Sequence, residues 1–195
     1  SLVLGTPEAN RTALARGRLT DAGLQGMEII FQNADVKDGA QHFGSRLLFL
    51  PDKSLLMSIG DGGNPPLAFA GANIRNQAQN LGTHFGKILR LRDDGSPYPD
   101  NPFIGQPGAR PEIWTLGHRN VQGLTLDPQG RVWANEHGSR GGDELNILQA
   151  GANYGWPEVS YSNEYWGPAI AREQSRPGIQ DPILVWTPSK APSGL

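Results

Sequence analysis

LTLDPQGRVWA, residues 124–134, and LLFLPDKSLLM, residues 47–57, decide the fold of this chain. Each segment has a short apolar run, a polar turn containing proline and a second apolar run, which is the pattern of a β-hairpin. At a constant offset of 77, Leu47, Phe49, Pro51, Leu55 and Leu56 align with Leu124, Leu126, Pro128, Val132 and Trp133. A recurring strand-turn-strand unit predicts blades of a β-propeller. A jelly roll or a sandwich is the alternative.

Further strand signals surround these two hairpins. Residues 11–18 and 27–31 flank the turn-rich segment TDAGLQG and predict another hairpin, and residues 87–91 predict a strand that ends at Asp-Asp-Gly. The segments 64–86, 93–111 and 157–180 lack clear periodicity and predict long loops, the first with a helical turn near residues 75–81. Long ordered loops in compact domains are often functional.

Composition supports an all-β fold and excludes several functions. The 195 residues include 26 Gly and 16 Pro but only 18% charged residues, so turns are frequent and elements are short. A formal net charge of -2 provides no basic field for nucleic acid. No apolar run approaches the roughly eighteen residues of a membrane span, and the first residues show no secretion signal. The absence of Cys excludes disulfides and thiolate chemistry.

His42 and Asp61 are the first candidates for chemistry. His42 precedes the first strand of the earlier hairpin, and Asp61 follows its second strand. The start of one strand and the end of the next lie at the same end of a hairpin, so we expect the two side chains to touch. An Asp that fixes one imidazole nitrogen leaves the other free to accept a proton. The alternative is a capping His near a turn Asp.

A second polar group surrounds the later hairpin. Arg119 and Asn120 offer guanidinium and amide donors to an anionic or carbonyl-rich ligand, or alternatively to backbone carbonyls of a loop. Gly138 and Ser139 occupy a turn flanked by acidic residues. Turns of this composition supply oxygen ligands to hard cations such as Ca2+, although the spacing matches no EF-hand loop.

Six motifs together resemble a known family. They are HFGSRL (42–47), SIGDGG (58–63), GKILRLRDDGSPYPDNP (86–102), GHRNVQGL (117–124), EHGSRGGDELN (136–146) and NYGWP (153–157). With these intervals the chain closely resembles the soluble aldose sugar dehydrogenases that use pyrroloquinoline quinone (PQQ), in the glucose/sorbosone dehydrogenase family. The resemblance implies a six-bladed β-propeller, of which this chain covers roughly the middle half. Residues 1–195 are then a partial β-propeller domain with part of a quinone and calcium site.

The resemblance also implies roles for individual residues. His42 matches the catalytic base of the family and Asp61 its orienting carboxylate. Arg119 and Asn120 match the pair that contacts the quinone, and Gln122 is close behind. The mechanism implied is oxidation of an aldose at C1 to the lactone, in which His42 removes the hydroxyl proton, hydride passes to PQQ and Arg119 stabilises the developing charge.

Two calcium positions follow from the same resemblance. Gly138 and Ser139 align with residues whose backbone carbonyls hold the Ca2+ of the cofactor, and Glu144 and Tyr154 with positions that bind a second, structural Ca2+ in some members.

The expected partners are an aldose and an external electron acceptor, in the periplasm or outside the cell. Unpaired edge strands of an open propeller favour association, and a homodimer is one expected form. A calcium-dependent propeller lactonase and a noncatalytic carbohydrate-binding propeller are the alternative functions.

Overall fold

Thirteen short strands and one 3-10 helix form the regular structure in a computed structural model that describes residues 1–195. The strands are β1 Leu2–Thr6, β2 Ala9–Thr20, β3 Gly23–Gln32, β4 Leu47–Phe49, β5 Leu55–Ile59, β6 Ala68–Phe69, β7 Ala72–Asn73, β8 Lys87–Leu91, β9 Ile113–Leu116, β10 Val121–Leu126, β11 Val132–Glu136, β12 Asp143–Leu148 and β13 Leu184–Trp186. The helix is Ile74–Gln79. The predicted all-β class is confirmed, and no helix has the length and apolarity needed to cross a membrane.

The strands form three antiparallel sheets and one small hairpin. The sheets have the orders β1-β2-β3, β4-β5-β8-β9 and β10-β11-β12-β13, and β6 pairs with β7. The repeat seen in the sequence is present in the pairing register. Leu48 faces Leu56 in the second sheet, and Thr125 faces Trp133 in the third, each partner shifted by the same offset. The two hairpins are therefore equivalent parts of two blades.

The three sheets stack face to face, with the second sheet in the middle. Every residue of β5 is buried, although side chains of a strand alternate between its two faces. Leu55, Met57 and Ile59 join a core with Leu14 and Phe31 of the first sheet. Leu56 points to the other side, into a core formed largely with the third sheet. Because burial of one such apolar side chain contributes about 1.5–3 kcal/mol, apolar residues are favoured at positions on both faces of a strand that is covered on both sides.

Polar segments collect at one edge of this stack. In antiparallel sheets the end of one strand and the start of the next lie together, so the ends of β5, β9 and β11 and the starts of β8, β10 and β12 share an edge. The connections cross from sheet to sheet there. The backbone N–H of Asp61 donates to the Arg119 carbonyl at 2.8 Å, and that of His118 to the Gly86 carbonyl at 3.1 Å. We call this the site edge.

The remaining elements were predicted only in part from the sequence. The helical turn expected near residues 75–81 is the 3-10 helix Ile74–Gln79, and the small hairpin β6-β7 precedes it. Strand β12, with the sequence DELNIL, lies where the sequence suggested only acidic residues beside a turn. Its Asp143 and Asn146 are fully buried. The strands β1, β9 and β13 were also missed.

Candidate functional site

His42 and Asp61 meet at the site edge, as their positions in the hairpin predict. The Nδ1 atom of His42 lies 2.6 Å from Oδ1 of Asp61. Asp61 is 1% exposed in its side chain, and His42 is 11% exposed. The same Oδ1 accepts the Gly63 N–H at 3.0 Å, and Oδ2 accepts the indole N–H of Trp156 at 2.8 Å. Because Nδ1 faces a carboxylate, it carries the proton, and the accessible Nε2 has its lone pair free.

The backbone around His42 fits closely against strand β5. His42 has a positive φ of 48°, and its carbonyl lies against Gly60, where an added Cβ would be 2.0 Å from the oxygen. Only glycine fits at position 60 without moving the loop. The side-chain oxygen of Asn120 accepts the Gly44 N–H at 3.1 Å and Nε2 of Gln122 at 3.1 Å. Asn120 therefore fixes the His42 loop and keeps its Nδ2 donor available.

Arg119 is buried beside this pair, at 3% exposure. Its Nη1 donates to the carbonyls of His137 and Gly138 at 2.9 and 2.6 Å. Its Nη2 donates to Oδ1 of Asn64 at 2.9 Å. The contact with loop carbonyls that the sequence left open is thus present. The Nε atom is buried and has no hydrogen-bond partner, which leaves one donor of a cation unsatisfied.

A buried hydrogen-bond chain fixes the backbone of Arg119. Oε2 of Glu136 accepts the Arg119 N–H at 2.6 Å, and its Oε1 lies 2.9 Å from Nδ1 of His118. The Nε2 of His118 is 2.9 Å from Oγ1 of Thr115, and its ring stacks on Tyr154 with 4.8 Å between centroids. These side chains are buried, so each contact is protected from competition by water. In the GHRN motif, His118 and the backbone of Arg119 therefore share one partner, the Glu136 carboxylate, which fixes both residues.

Comparison with known proteins identifies the family of this chain. The family model described as "Glucose / Sorbosone dehydrogenase" matches residues 3–195. This chain belongs to the glucose/sorbosone dehydrogenase family. An uncharacterized protein of Synechocystis sp. is 55% identical over 193 residues, which cover 98% of this chain and 47% of the relative. The aldose sugar dehydrogenase YliI of Escherichia coli is 39% identical over 189 residues, covering 94% of this chain and 48% of that protein.

The similarity extends to a solved structure. The PQQ-bound form of the aldose sugar dehydrogenase from Streptomyces coelicolor superposes with a TM-score of 0.72 at 31% identity, covering 98% of this chain and 50% of that chain. This chain, residues 1–195, is therefore a partial β-propeller, as predicted. The alternative folds, a jelly roll and a sandwich, are excluded. The chain spans about half the length of the curated relatives it matches.

The turn at Gly138 and Ser139 lies directly over Arg119. Position 138 requires glycine, because an added Cβ would lie 2.2 Å from the Gly141 carbonyl. The Gly138 N–H donates to Oδ1 of Asp143 at 2.8 Å. Burial opposes ionisation of Asp143, but hydrogen bonds from Ser189 and from backbone N–H groups lower its pKa overall. Asp143 thus holds the turn in place through the Gly138 N–H, and the Gly138 carbonyl faces Arg119.

Glu144 and Tyr154 lie near a water-sized cavity of about 10 Å³. Burial raises the pKa of Glu144, and the nearby Glu136 carboxylate raises it further. The Tyr154 hydroxyl donates to the Ile147 carbonyl at 2.8 Å and accepts the Gln149 N–H at 2.9 Å, and burial raises its pKa to about 12. The Tyr154 hydroxyl is therefore engaged within the chain, while the Glu144 carboxylate lacks a cationic partner. No three His, Cys, Asp or Glu side chains gather as a metal site.

Three residues of the site were missed in the sequence. Trp156 lies in the NYGWP motif, for which no role was predicted, and it contacts Asp61. Asn64 accepts from Arg119, and the Tyr165 hydroxyl lies 3.5 Å from Nη2 of Arg119. Each comes from a loop far along the chain from its partner. No local pattern signals such contacts, because they depend on how the sheets stack.

Proposed function

We propose that this chain carries the proton-transfer side of a PQQ-dependent aldose dehydrogenase that oxidises the sugar at C1 to the lactone. The observation that supports this most strongly is the His42–Asp61 contact at 2.6 Å, with Nε2 of His42 accessible. The relatives support the same class. YliI is named as an aldose sugar dehydrogenase, and the Streptomyces coelicolor enzyme was solved in its PQQ-bound form.

The residues present fit a quinone that carries carbonyl and carboxylate groups. The Nε of Arg119 is a buried donor without an acceptor in the chain. The Nδ2 of Asn120 is a second donor, since Oδ1 takes both hydrogen bonds of that side chain. Gln122 holds the Asn120 amide in this orientation. Donors that lack internal acceptors are expected where an anionic or carbonyl ligand binds.

The fit to Ca2+ rests on backbone oxygens. The carbonyls of Gly138 and Ser139 would hold the ion, which accepts such ligands in sets of six to eight. The Gly138 carbonyl also accepts Nη1 of Arg119 at 2.6 Å, so it would bind the ion through its second lone pair. Two carbonyls are a partial set, so further ligands must come from the cofactor, from water or from other residues. Glu144 would contribute to a second site, because burial raises its pKa and a cation would favour the charged carboxylate. Tyr154 would contribute through its backbone carbonyl, because its hydroxyl donates to Ile147 and accepts from Gln149.

In this mechanism the chain supplies two groups: a base that accepts one proton, and a guanidinium that stabilises the developing negative charge. Bound PQQ supplies a two-electron acceptor for the hydride, with Ca2+ polarising its carbonyl. His42 accepts the C1 hydroxyl proton at Nε2, while Asp61 keeps Nδ1 protonated and stabilises the resulting imidazolium. Arg119 directs its guanidinium toward the developing negative charge from a buried position, where electrostatic stabilisation is strong.

Reconstitution tests the proposal. The protein is loaded with PQQ and Ca2+, reduction of an external dye by an aldose is recorded, and lactone hydrolysis is measured separately without the quinone. We expect aldose-dependent dye reduction that disappears when either PQQ or Ca2+ is omitted. Hydrolysis without PQQ would instead support a calcium-dependent lactonase, and saturable sugar binding with neither reaction a carbohydrate-binding propeller. The same proposal includes an external electron acceptor and a periplasmic or secreted location. It also includes a homodimer, which sedimentation of the protein tests.

A further inference from the structure

We propose that Trp156 is a positioning residue that sets the relative placement of Asp61 and Arg119, the two groups on which proton transfer and charge stabilisation depend. Its role in turnover rests on the proposed function, but its contacts do not. Trp156 follows the third sheet's first three strands in sequence and reaches across the site edge to a carboxylate at the end of β5. One side chain thereby contacts both Asp61, the partner of His42, and Arg119.

The first contact fixes the orienting carboxylate. Oδ1 of Asp61 is occupied by His42 and Gly63, at 2.6 and 3.0 Å. Oδ2 accepts a side-chain hydrogen bond from Trp156 alone, at 2.8 Å. Trp156 is 5% exposed, so water does not readily replace it. Without this donor the carboxylate could turn about its Cβ–Cγ bond, and the direction of the His42 ring would no longer be fixed.

The second contact concerns the guanidinium groups. The Cζ of Arg119 lies 5.5 Å from the centroid of the Trp156 ring, and that of Arg75 lies 5.8 Å from it. Both distances are within the range of about 6 Å in which a cation is attracted to an indole face. Arg75 is held in turn by Glu164, with 2.7 Å between Nη2 and Oε1. The indole therefore contacts one buried guanidinium, that of Arg119, and one half-buried guanidinium, that of Arg75.

The backbone of Trp156 is itself anchored near Arg119. Its N–H donates to the Gly117 carbonyl at 3.0 Å, and its carbonyl accepts from Nε2 of Gln79 at 2.7 Å. Gly117 lies two residues before Arg119 in the chain. A displacement of either Asp61 or Arg119 would thus have to move an indole that is fixed at both its ring and its backbone.

A second tryptophan in the chain provides a matched control. The indole N–H of Trp133 donates to Oδ2 of Asp127 at 2.8 Å, and Cζ of Arg131 lies 5.3 Å from its ring. These are the same two kinds of contact, but they are made at the β10-β11 turn, away from His42 and Arg119. Trp133→Phe therefore removes an equivalent hydrogen bond with no expected effect on the site.

The test compares Trp156→Phe with Trp133→Phe in the full chain. Nitrogen-15 NMR of the imidazole rings, assigned with His42→Gln, reports the His42 hydrogen bond before any cofactor is added. We expect Trp156→Phe to shift or broaden the Nδ1–H signal of His42, and Trp133→Phe to leave it unchanged. In the PQQ- and Ca2+-loaded protein, Trp156→Phe should lower kcat about tenfold to a hundredfold, as loss of a supporting partner typically does, with KM changed less than about twofold.

The outcomes separate the two proposals. If Trp156→Phe affects His42 no more than Trp133→Phe does, the positioning role is wrong. If Trp156→Phe does not fold, Asp61→Ala gives a second measurement, because it must move the indole N–H signal of Trp156; an unmoved signal overturns the proposal. If the NMR shifts occur but the wild-type protein reduces no dye, the positioning role stands and the dehydrogenase function fails.

Discussion

Replacement of Asp61 by Asn tests the candidate site most directly. The carboxylate accepts three hydrogen bonds, from His42 and Gly63 at Oδ1 and from Trp156 at Oδ2. An Asn side chain has nearly the same shape but only one acceptor oxygen, and its amide nitrogen is a donor. Because Asp61 is buried, the mismatch cannot be relieved by water. Either orientation of the amide must therefore disrupt one side of the site.

The two orientations have different consequences. If the oxygen faces His42 and Gly63, the amide N–H meets the indole N–H of Trp156, and two buried donors lack acceptors. Each unsatisfied group costs about 1–3 kcal/mol, so we expect a loss of about 2–6 kcal/mol in the free energy of unfolding. If the oxygen faces Trp156, the amide donates to Nδ1 of His42, which moves the ring proton to Nε2 and removes the base. Turnover then falls by about two to four orders of magnitude.

The assay measures both quantities on the same protein. Urea unfolding gives the free energy of unfolding, and dye reduction by the reconstituted protein gives kcat. The control is Asp127→Asn, because Asp127 also accepts an indole N–H, from Trp133, but at a turn remote from His42. It should lower stability modestly and leave kcat unchanged. An Asp61→Asn protein within about tenfold of wild-type turnover and about 1 kcal/mol of its stability would refute this account of the site.

Three further changes have defined outcomes. His42→Ala should lower turnover about 10²- to 10⁴-fold in dye reduction while the quinone still binds by its absorbance; unchanged turnover would exclude His42 as the base. Gly60→Ala, whose Cβ would lie 2.0 Å from the His42 carbonyl, should also lower turnover, whereas Gly194→Ala, which meets open space, should not. Burial lowers the pKa of Lys87 to about 7, so between pH 7 and 10.5 the unfolded chain binds the proton and the folded chain does not. The free energy of unfolding, measured with urea, should therefore rise more steeply with pH across this window in the wild type than in Lys87→Met. Equal slopes of stability against pH in the two proteins would contradict this.

The hairpins could be predicted from the sequence because their signals are local. Two apolar runs around a Pro-containing turn define the strands, and the shared offset gives equivalent registers in β4-β5 and β10-β11. The contact between His42 and Asp61 followed from the same topology, since neighbouring strand ends share an edge. Those predictions required only the pairing of adjacent strands.

The remaining parts of the site required knowledge of sheet stacking. Trp156 and Asp61 are 95 residues apart, and no pattern in either segment indicates their contact. Strand β12 was missed for a related reason. Its Asp143 and Asn146 look solvent-exposed in the sequence, but both are buried, and Asp143 is satisfied by Ser189 and by backbone donors that come from the end of the chain. A charged residue in a strand is stable only with such partners, which the sequence does not reveal.

The candidate site is rigid because each functional side chain is fixed by a partner from a different segment. Asp61 follows strand β5 of the second sheet and is held by Trp156, while the backbone of Arg119 is held by Glu136 at the end of β11. The apolar stack between the sheets fixes the distance between these segments, and the buried hydrogen bonds fix the directions of the side chains. Preorganised donors and acceptors need no rearrangement at the moment of reaction, which is the condition for strong electrostatic stabilisation. Residues that touch no ligand, such as Trp156 and Glu136, should therefore influence turnover through geometry alone.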